Sequence, residues 1–481
     1  MVNRSLKTNG ILNGIRTFST MIFPIVTFPY ISRILQVEYL GRVNFVISIT
    51  SYFLLIATLG ISSYAIREGS RLRENKSINQ FASEIFSINL LFTFLAYILL
   101  ALLIIFVPKV YEYRILLMIY SGIIIFTTIG VEWVFSIYED YLFITVRTII
   151  FQLLSLIILF AFVRNRSDLY TYVIILVLAK AGPNIVNLFY SRKYIEIKLS
   201  KNMNLKKHFK PILVLFSVSV ATTIYVNSDM TMLGFLVGDY SVGLYSVSVK
   251  IFSIFKMLLS AIIIVSLPRL SSYLSNNKTD LYNKTLSKLY SGLIVFTIPL
   301  SLGLYLLSDE IIILFSGKEY IEASFSLRIL SIALIFSTFG SFLATSVLLP
   351  LRKERIILIS SVLSASANIV LNFFVLSIYK QNGAAMTTLV SEFLMGILMY
   401  IYIRKQVQIK NINQTFLSTL LSCMVIVVTY LVLGAYIEST LVKTIAVTVI
   451  GGLNYFIFML ILRNEIALEI FTAMKGIFNS Q

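Results

Sequence analysis

The sequence predicts an all-α polytopic membrane protein with about fourteen transmembrane helices, and three observations carry that reading. Of its 481 residues, 58% are hydrophobic and only 13% charged, against about 25% charged in an ordinary soluble domain. Apolar runs long enough to cross a hydrocarbon core, about 20 residues at 1.5 Å rise each, recur from residue 11 to residue 462 between short polar breaks. The runs are unbroken, whereas a membrane β-strand needs only about 10 residues that alternate in character.

The first span, 11–33, follows a basic stretch from Met1 to Gly10. It is read as a retained helix rather than a cleaved signal, because it is long and no small-x-small site ends it. It carries Arg16, the spacing Gly10-x-x-x-Gly14 that permits close helix contact, and Pro24 and Pro29, which bend a helix by removing backbone hydrogen bonds. Spans at 41–63, 81–107 and 115–136 follow, the last with Glu132 near its end. Those at 143–163 and 169–190 come next, and Lys180 in the latter precedes Gly182-Pro183-Asn184, a break expected to release backbone carbonyls.

The connection from Ser191 to Lys210 is the longest on its side and carries seven basic residues and the single histidine, His208, read as a solvated loop residue. Beyond it lie spans at 211–236 with Asp229, 241–267 with Lys250 and Lys256, 289–307, 325–348, 356–378, 383–403 with Glu392, 414–436 and 441–462. The expected organisation is an N-terminal six-helix lobe at 1–190, a basic linker at 191–210, a second six-helix lobe at 211–404, and two extra helices with a tail at 405–481. Glu38-Tyr39-Leu40-Gly41, opening span two, resembles Asp239-Tyr240-Ser241-Val242-Gly243, opening span eight, and this hints at duplicated halves.

The formal charge of +18 is distributed by topology. About two-thirds of the Lys and Arg residues fall in the loops on the side of the N-terminus, including Arg147, so both termini are expected in the cytoplasm. That distribution also argues against nucleic acid as a partner. Asn-x-Ser/Thr triplets such as Asn75-Lys76-Ser77 and Asn277-Lys278-Thr279 fall in loops placed in the cytoplasm and are read as chance matches.

Lys or Arg at the centre of a spanning helix costs about 2.5 to 3.5 kcal/mol on insertion scales, so each one retained there asks for a partner or a watery cavity. Arg16, Lys180, Lys250 and Lys256 are the candidates for a cavity that binds an anion, with Glu132, Asp229 and Glu392 as acidic companions. Arg16 could instead snorkel to the interface, and Lys250 could instead pair with Asp229. No G-x-x-x-x-G-K-[ST] loop occurs, and one histidine and one cysteine, Cys423, supply neither a metal cluster nor a catalytic triad. No cofactor, metal or covalent chemistry is expected.

Several strings resemble the Wzx-type polysaccharide repeat-unit flippases of bacteria, within the multidrug/oligosaccharidyl-lipid/polysaccharide exporter superfamily. They are Phe28-Pro29-Tyr30-Ile31-Ser32-Arg33 with Glu38 and Gly41, Tyr64-Ala65-Ile66-Arg67-Glu68 and Glu132-Trp133-Val134-Phe135. The second half adds Asp229-Met230-Thr231-Met232-Leu233-Gly234, Val242-Gly243-Leu244-Tyr245-Ser246 with Lys250, and Leu267-Pro268-Arg269-Leu270. The likeness covers nearly the whole chain. It departs at Gln36 and Ala65, where glycine is frequent in the family.

The resemblance implies two six-helix lobes around a central cavity, two C-terminal helices and alternating access. It implies a substrate of oligosaccharide on undecaprenyl diphosphate, moved to the outer leaflet of the bacterial inner membrane for capsule or O-antigen synthesis. Membrane lipids, a polysaccharide polymerase and other assembly proteins are the implied partners. Arg33, Arg67, Glu132, Asp229 and Arg269 become candidates for gating or packing. The rival readings are a flippase for the peptidoglycan lipid precursor, a drug or cation exporter, and, from another class, a membrane glycan polymerase or acyltransferase.

Overall fold

The computed structural model describes residues 6–74, 77–200, 203–404 and 412–478, which are helical nearly throughout and include no strand. Arg4, Lys76, Lys201, Lys405 and Lys410 of the charge pattern, and Asn75 of the triplet, lie outside the described residues. Among the described residues, twelve helices are long and apolar enough to cross a membrane.

The sequence led us to expect fourteen separate spans, and the difference lies in two long helices. Helix α1 (Leu6–Thr58) has 53 residues and a non-helical residue at Gln36 (φ 62°, ψ 179°). A later helix, Glu354–Ile403, has 50 residues and a non-helical residue at Lys380 (φ 49°, ψ −130°). At 1.5 Å per residue each would exceed 70 Å if straight, more than twice the ~30 Å hydrocarbon thickness. Both breaks fall in segments read from sequence as short loops, but the helix resumes at once on the far side. Pro24 and Pro29 do not break α1, whose only non-helical residue is Gln36.

The chain forms two compact units, residues 1–243 and 244–481. In the first, α1 packs on α3 (Ile78–Phe106), α5 (Arg114–Ile129), α7 (Tyr141–Phe162) and α9 (Leu205–Leu236), while α2 (Ile61–Leu72) packs on α3, α6 (Glu132–Ile137) and α9. The short α4 (Pro108–Tyr111) turns the chain between α3 and α5, and α8 (Leu169–Tyr190) lies against α5 and α7. Helix α8 is continuous through Gly182, Pro183 and Asn184, all buried, so the expected break is absent. A buried cluster around Tyr64, Phe81, Ile85, Trp133 and Ile212 holds α2, α3, α6 and α9 together.

The two similar strings pack on one another. A Cβ on Gly41 would fall 1.8 Å from the carbonyl oxygen of Asp239, and one on Gly243 would fall 2.0 Å from that of Val37. The contact is reciprocal, each glycine opening the way for the other segment's backbone. Asp239 anchors it, accepting from the Tyr113 hydroxyl at 2.6 Å and facing Arg42 Nε at 3.3 Å. Gly10 and Gly14, by contrast, have nothing among the described residues within 4 Å of where a Cβ would stand, so their spacing marks no helix contact there.

The stretch after α8 is strapped along α3. The backbone N–H groups of Glu196, Lys198 and Ser200 donate to Asn79 Oδ1, Ser83 Oγ and Ser87 Oγ at 3.3, 3.0 and 2.8 Å. Every second residue of an extended chain advances about 6.6 Å and every fourth helical residue about 6.0 Å, so the two periods stay in register over this length.

Helix α10 (Asp239–Ser275) begins in the first unit and continues into the second. There α11 (Thr279–Leu306) packs on α13 (Ala323–Phe342), α13 on α14 (Glu354–Ile403), and α12 (Ser308–Ser316) on α13 and on α16 (Thr440–Ile461). Helices α15 (Ile412–Tyr436) and α16 pack as a pair, α15 against α11, and the Tyr455 hydroxyl donates to the Val295 carbonyl at 2.8 Å. The tail forms one more helix, α17 (Glu465–Phe478), begun by Asn464, whose side chain accepts from Ile466 N at 3.1 Å and donates to Ser418 at 2.8 Å.

Candidate functional site

Among the candidate intramembrane cations, Arg16 and Lys256 each lie within 2.6 Å of a carboxylate oxygen. Arg16 Nη2 on α1 lies 2.6 Å from Glu132 Oε1, the first residue of α6. Glu132 is also reached by a third residue, Arg147 of α7, with Nη2 3.1 Å from Oε2. Two guanidiniums therefore share one carboxylate, which leaves an excess positive charge inside the first unit. Arg147 is the deepest of the three, its side chain 4% exposed against 30% for Arg16 and 39% for Glu132.

In the sequence Arg147 stood as a cytoplasmic loop charge, because it lies close to the start of its apolar run. The structure instead places it within α7 and buries it. Its spacing did hold a signal: at two turns into a helix its side chain can lie against a neighbour rather than reach water. The helices carrying the cluster are further joined by Ser19 Oγ donating to Gln152 Oε1 at 2.6 Å and Thr145 Oγ1 to the Leu12 carbonyl at 3.0 Å.

Lys256 Nζ on α10 lies 2.6 Å from Glu392 Oε1 on α14, with the carboxylate side chain 5% exposed. Lys180 is exposed on α8, its Nζ donating to the Tyr120 hydroxyl at 3.1 Å. Lys250 is half-buried on α10 and Asp229 is buried on α9. Among the gating or packing candidates, Arg33 is exposed on α1, and Arg67 Nε pairs with Glu68 at 3.1 Å. Arg269 Nε donates to the Tyr273 hydroxyl at 2.7 Å on an exposed part of α10.

His208 is not a solvated loop residue. It is fully buried in the first turns of α9, with Nε2 2.8 Å from Glu84 Oε2 on α3 and Nδ1 2.8 Å from the Tyr64 hydroxyl on α2. Glu84 Oε1 accepts in addition from Gln80 at 2.9 Å and Asn204 at 2.8 Å. The basic character of its flanks, Lys206, Lys207 and Lys210, concealed this, since the carboxylate is 124 residues away.

At the shared end of α7 and α8, Asp140 caps α7 by accepting from Phe143 N at 3.3 Å and takes the Tyr194 hydroxyl at 2.7 Å. Burial, and then that bond to a carboxylate, push the Tyr194 phenol well above its ordinary range, so it remains a donor.

Membrane-length helices joined by ion pairs that run from one helix to another define a polytopic membrane protein. The fold is shared with a structure of "Lipid II flippase MurJ, inward closed conformation", which superposes with a TM-score of 0.77, over 95% of this chain and 99% of that one, at 20% sequence identity. The chain belongs to the polysaccharide biosynthesis protein family, whose pattern matches residues 6–274. Its relatives include a protein of Shigella dysenteriae described as an O-antigen transporter, 24% identical over 82% of this chain and 99% of that protein. Another is the capsular polysaccharide biosynthesis protein CapF of Staphylococcus aureus, 27% identical over 77% of this chain and 92% of that protein.

Proposed function

We propose that this protein is a flippase that moves oligosaccharide repeat units, linked to undecaprenyl diphosphate, from the cytoplasmic to the outer leaflet for surface polysaccharide synthesis. One observation carries the reading: relatives tied by name to O-antigen transport and to capsule synthesis each align with more than three-quarters of the chain. The peptidoglycan-precursor reading rests on likeness of fold alone at 20% identity, and is the less favoured.

The chemistry asked of such a protein is electrostatic. A diphosphate moving through a low-dielectric interior needs fixed positive charge, since a unit charge is costly to desolvate there. Arg16 and Arg147 around Glu132 offer one such excess. Lys180, Lys250 and Lys256 are the further residues we assign to the anion's path, with Arg33, Arg67, Asp229 and Arg269 holding or gating helices beside it. The lobes would be 1–190 and 211–404, with 191–210 joining them and 405–481 appended. The protein works in the bacterial inner membrane with both termini in the cytoplasm, next to the polysaccharide polymerase, and moves its substrate without changing it covalently.

The test is deletion followed by complementation. Loss of the gene is expected to abolish surface polymer and leave lipid-linked repeat units inside, where assembly continues. Lys250→Arg should restore export and Lys250→Glu should not, at equal protein level, because like charge repels a diphosphate in a poorly screened site. Normal polymer in the deletion strain would refute the function, and full export by Lys250→Glu would remove Lys250 from the path.

A further inference from the structure

Helices α7 and α8 enclose a pocket of about 710 Å³ in the first unit, at the end where Asp140 caps α7 and where α8 gives way to Lys193 and Tyr194. Its volume lies within the range of small-ligand sites. Its walls change character along their length. Toward the capped end they carry Glu139, Asp140, Lys193 and Tyr194, and further along α7 come Val146, Arg147 and Ile150, the last 55% exposed.

The decisive feature is Arg147. Its side chain is almost wholly buried. Only Nη2 reaches a carboxylate, Glu132 Oε2 at 3.1 Å, while Nε and Nη1 have no hydrogen-bond partner among the described residues. Charged donors buried without acceptors are costly, and a protein retains them where a ligand supplies the acceptor. The guanidinium also lies over the faces of Phe135 and Phe143, at 5.8 and 5.6 Å from the ring centres, which holds its plane in place.

The two acidic residues of the lining, Glu139 and Asp140, are already engaged. Asp140 accepts from Phe143 N and Tyr194, and Glu139 accepts from Arg73 at 3.4 Å and Asn9 at 3.4 Å. Lys193 Nζ, exposed, has a neutral partner in the Tyr190 hydroxyl at 3.1 Å. Within the lining two cations, Arg147 and Lys193, stand against two carboxylates, Glu139 and Asp140, and both carboxylates have donors of their own while two nitrogens of Arg147 have no acceptor. The occupant should therefore be anionic at one end and apolar at the other.

Depth points the same way. Tyrosines gather where a membrane helix meets the headgroup layer, and Tyr190 and Tyr194 mark that level here. Arg147 lies six residues into α7, about 9 Å deeper along the helix. We propose that this pocket binds the phosphate of a membrane-embedded lipid, with Arg147 and Lys193 on its oxygens and the hydrocarbon chain along Val146 and Ile150. The phosphate could belong to a bilayer phospholipid or to a polyprenyl diphosphate, and the chemistry of recognition is common to both. The polyprenyl arm rests on the export reading, which also uses Arg147, whereas the phospholipid arm does not, and binding to the purified chain can fail while export at the cell surface stands.

The experiment is native mass spectrometry of the purified full-length protein, titrated in detergent with phosphatidylglycerol, a polyprenyl diphosphate, diacylglycerol or inorganic pyrophosphate. Both lipid phosphates are expected to remain bound where diacylglycerol does not. Arg147→Gln and Lys193→Gln should each weaken retention about tenfold, the scale of a charge-assisted hydrogen bond. Val146→Trp, which fills the apolar arm and leaves every charge in place, should weaken it as well. Tighter retention of the polyprenyl diphosphate would assign the site to the carrier lipid, and equal retention would assign it to the bilayer. Should Arg147→Gln fail to fold, the Lys193 and Val146 variants, both at exposed positions, carry the test. Undiminished retention in the folded variants, equal retention of diacylglycerol, or binding of pyrophosphate without either lipid would overturn the proposal.

Discussion

Glu84 and His208 are buried together where three helices meet, and the Tyr64 hydroxyl on the other ring nitrogen fixes how the imidazole is turned. Removing one member of a buried polar pair leaves the other without its main partner, which is costlier than removing both. Gln80 and Asn204 would still serve one oxygen of Glu84, so the loss is partial. His208→Ala is expected to cost about 2 kcal/mol, seen as a lower melting temperature of the purified protein. His208→Ala combined with Glu84→Gln should lose less than the sum of the two single changes. Strict additivity would mean that the two side chains do not depend on each other. The same logic applies to Lys256 and Glu392, but there the lysine side chain is 32% exposed and the pair is less enclosed.

Among elements, the crossing of α1 with the start of α10 leaves least room for change. Backbone atoms, rather than flexible side-chain ends, stand within 3 Å of the Cβ positions of Gly41 and Gly243, so neither neighbour can swing aside. Gly41→Ala is therefore expected to push the two segments apart and cost roughly 1–3 kcal/mol, the usual range for overpacking. Gly10→Ala, with open space around it, should be neutral or slightly stabilising. Thermal unfolding of both variants in one detergent checks the contrast, and an unchanged Gly41→Ala would show that the helices separate easily. Within α1 itself, Gln36 occupies a backbone conformation in which glycine is the comfortable residue. Gln36→Gly should relieve that strain and raise the melting temperature. A fall would mean that the contacts of the glutamine side chain outweigh the strain.

For the whole molecule, the asymmetric placement of Lys and Arg makes a prediction about orientation that packing cannot make. A reporter joined after Lys206 is expected to read cytoplasmic, and reporters joined at Lys380 or Glu438 to read external. Lys380 coincides with the break in α14. A cytoplasmic signal at Lys380 would mean that α14 does not cross the bilayer twice, and would remove the additional crossing inferred from that helix.

What the sequence determined by itself was the class and much of the layout. A bilayer imposes length and apolarity on every crossing segment, and those are local properties readable residue by residue. The strings around Gly41, Glu132, Asp229 and Gly243 likewise pointed to the family that the chain belongs to. Tertiary structure alone decided which charges meet. Arg16 with Glu132, Arg147 with the same carboxylate, and His208 with Glu84 are pairs separated by 116, 15 and 124 positions, so no local pattern announces them. It also decided that Gly182-Pro183-Asn184 stays helical and that Gly41 and Gly243, not Gly10 and Gly14, are the points of close approach. A glycine or a proline permits a contact or a bend, but whether a neighbouring helix makes use of it depends on what that neighbour presents, and that is a property of the packed molecule.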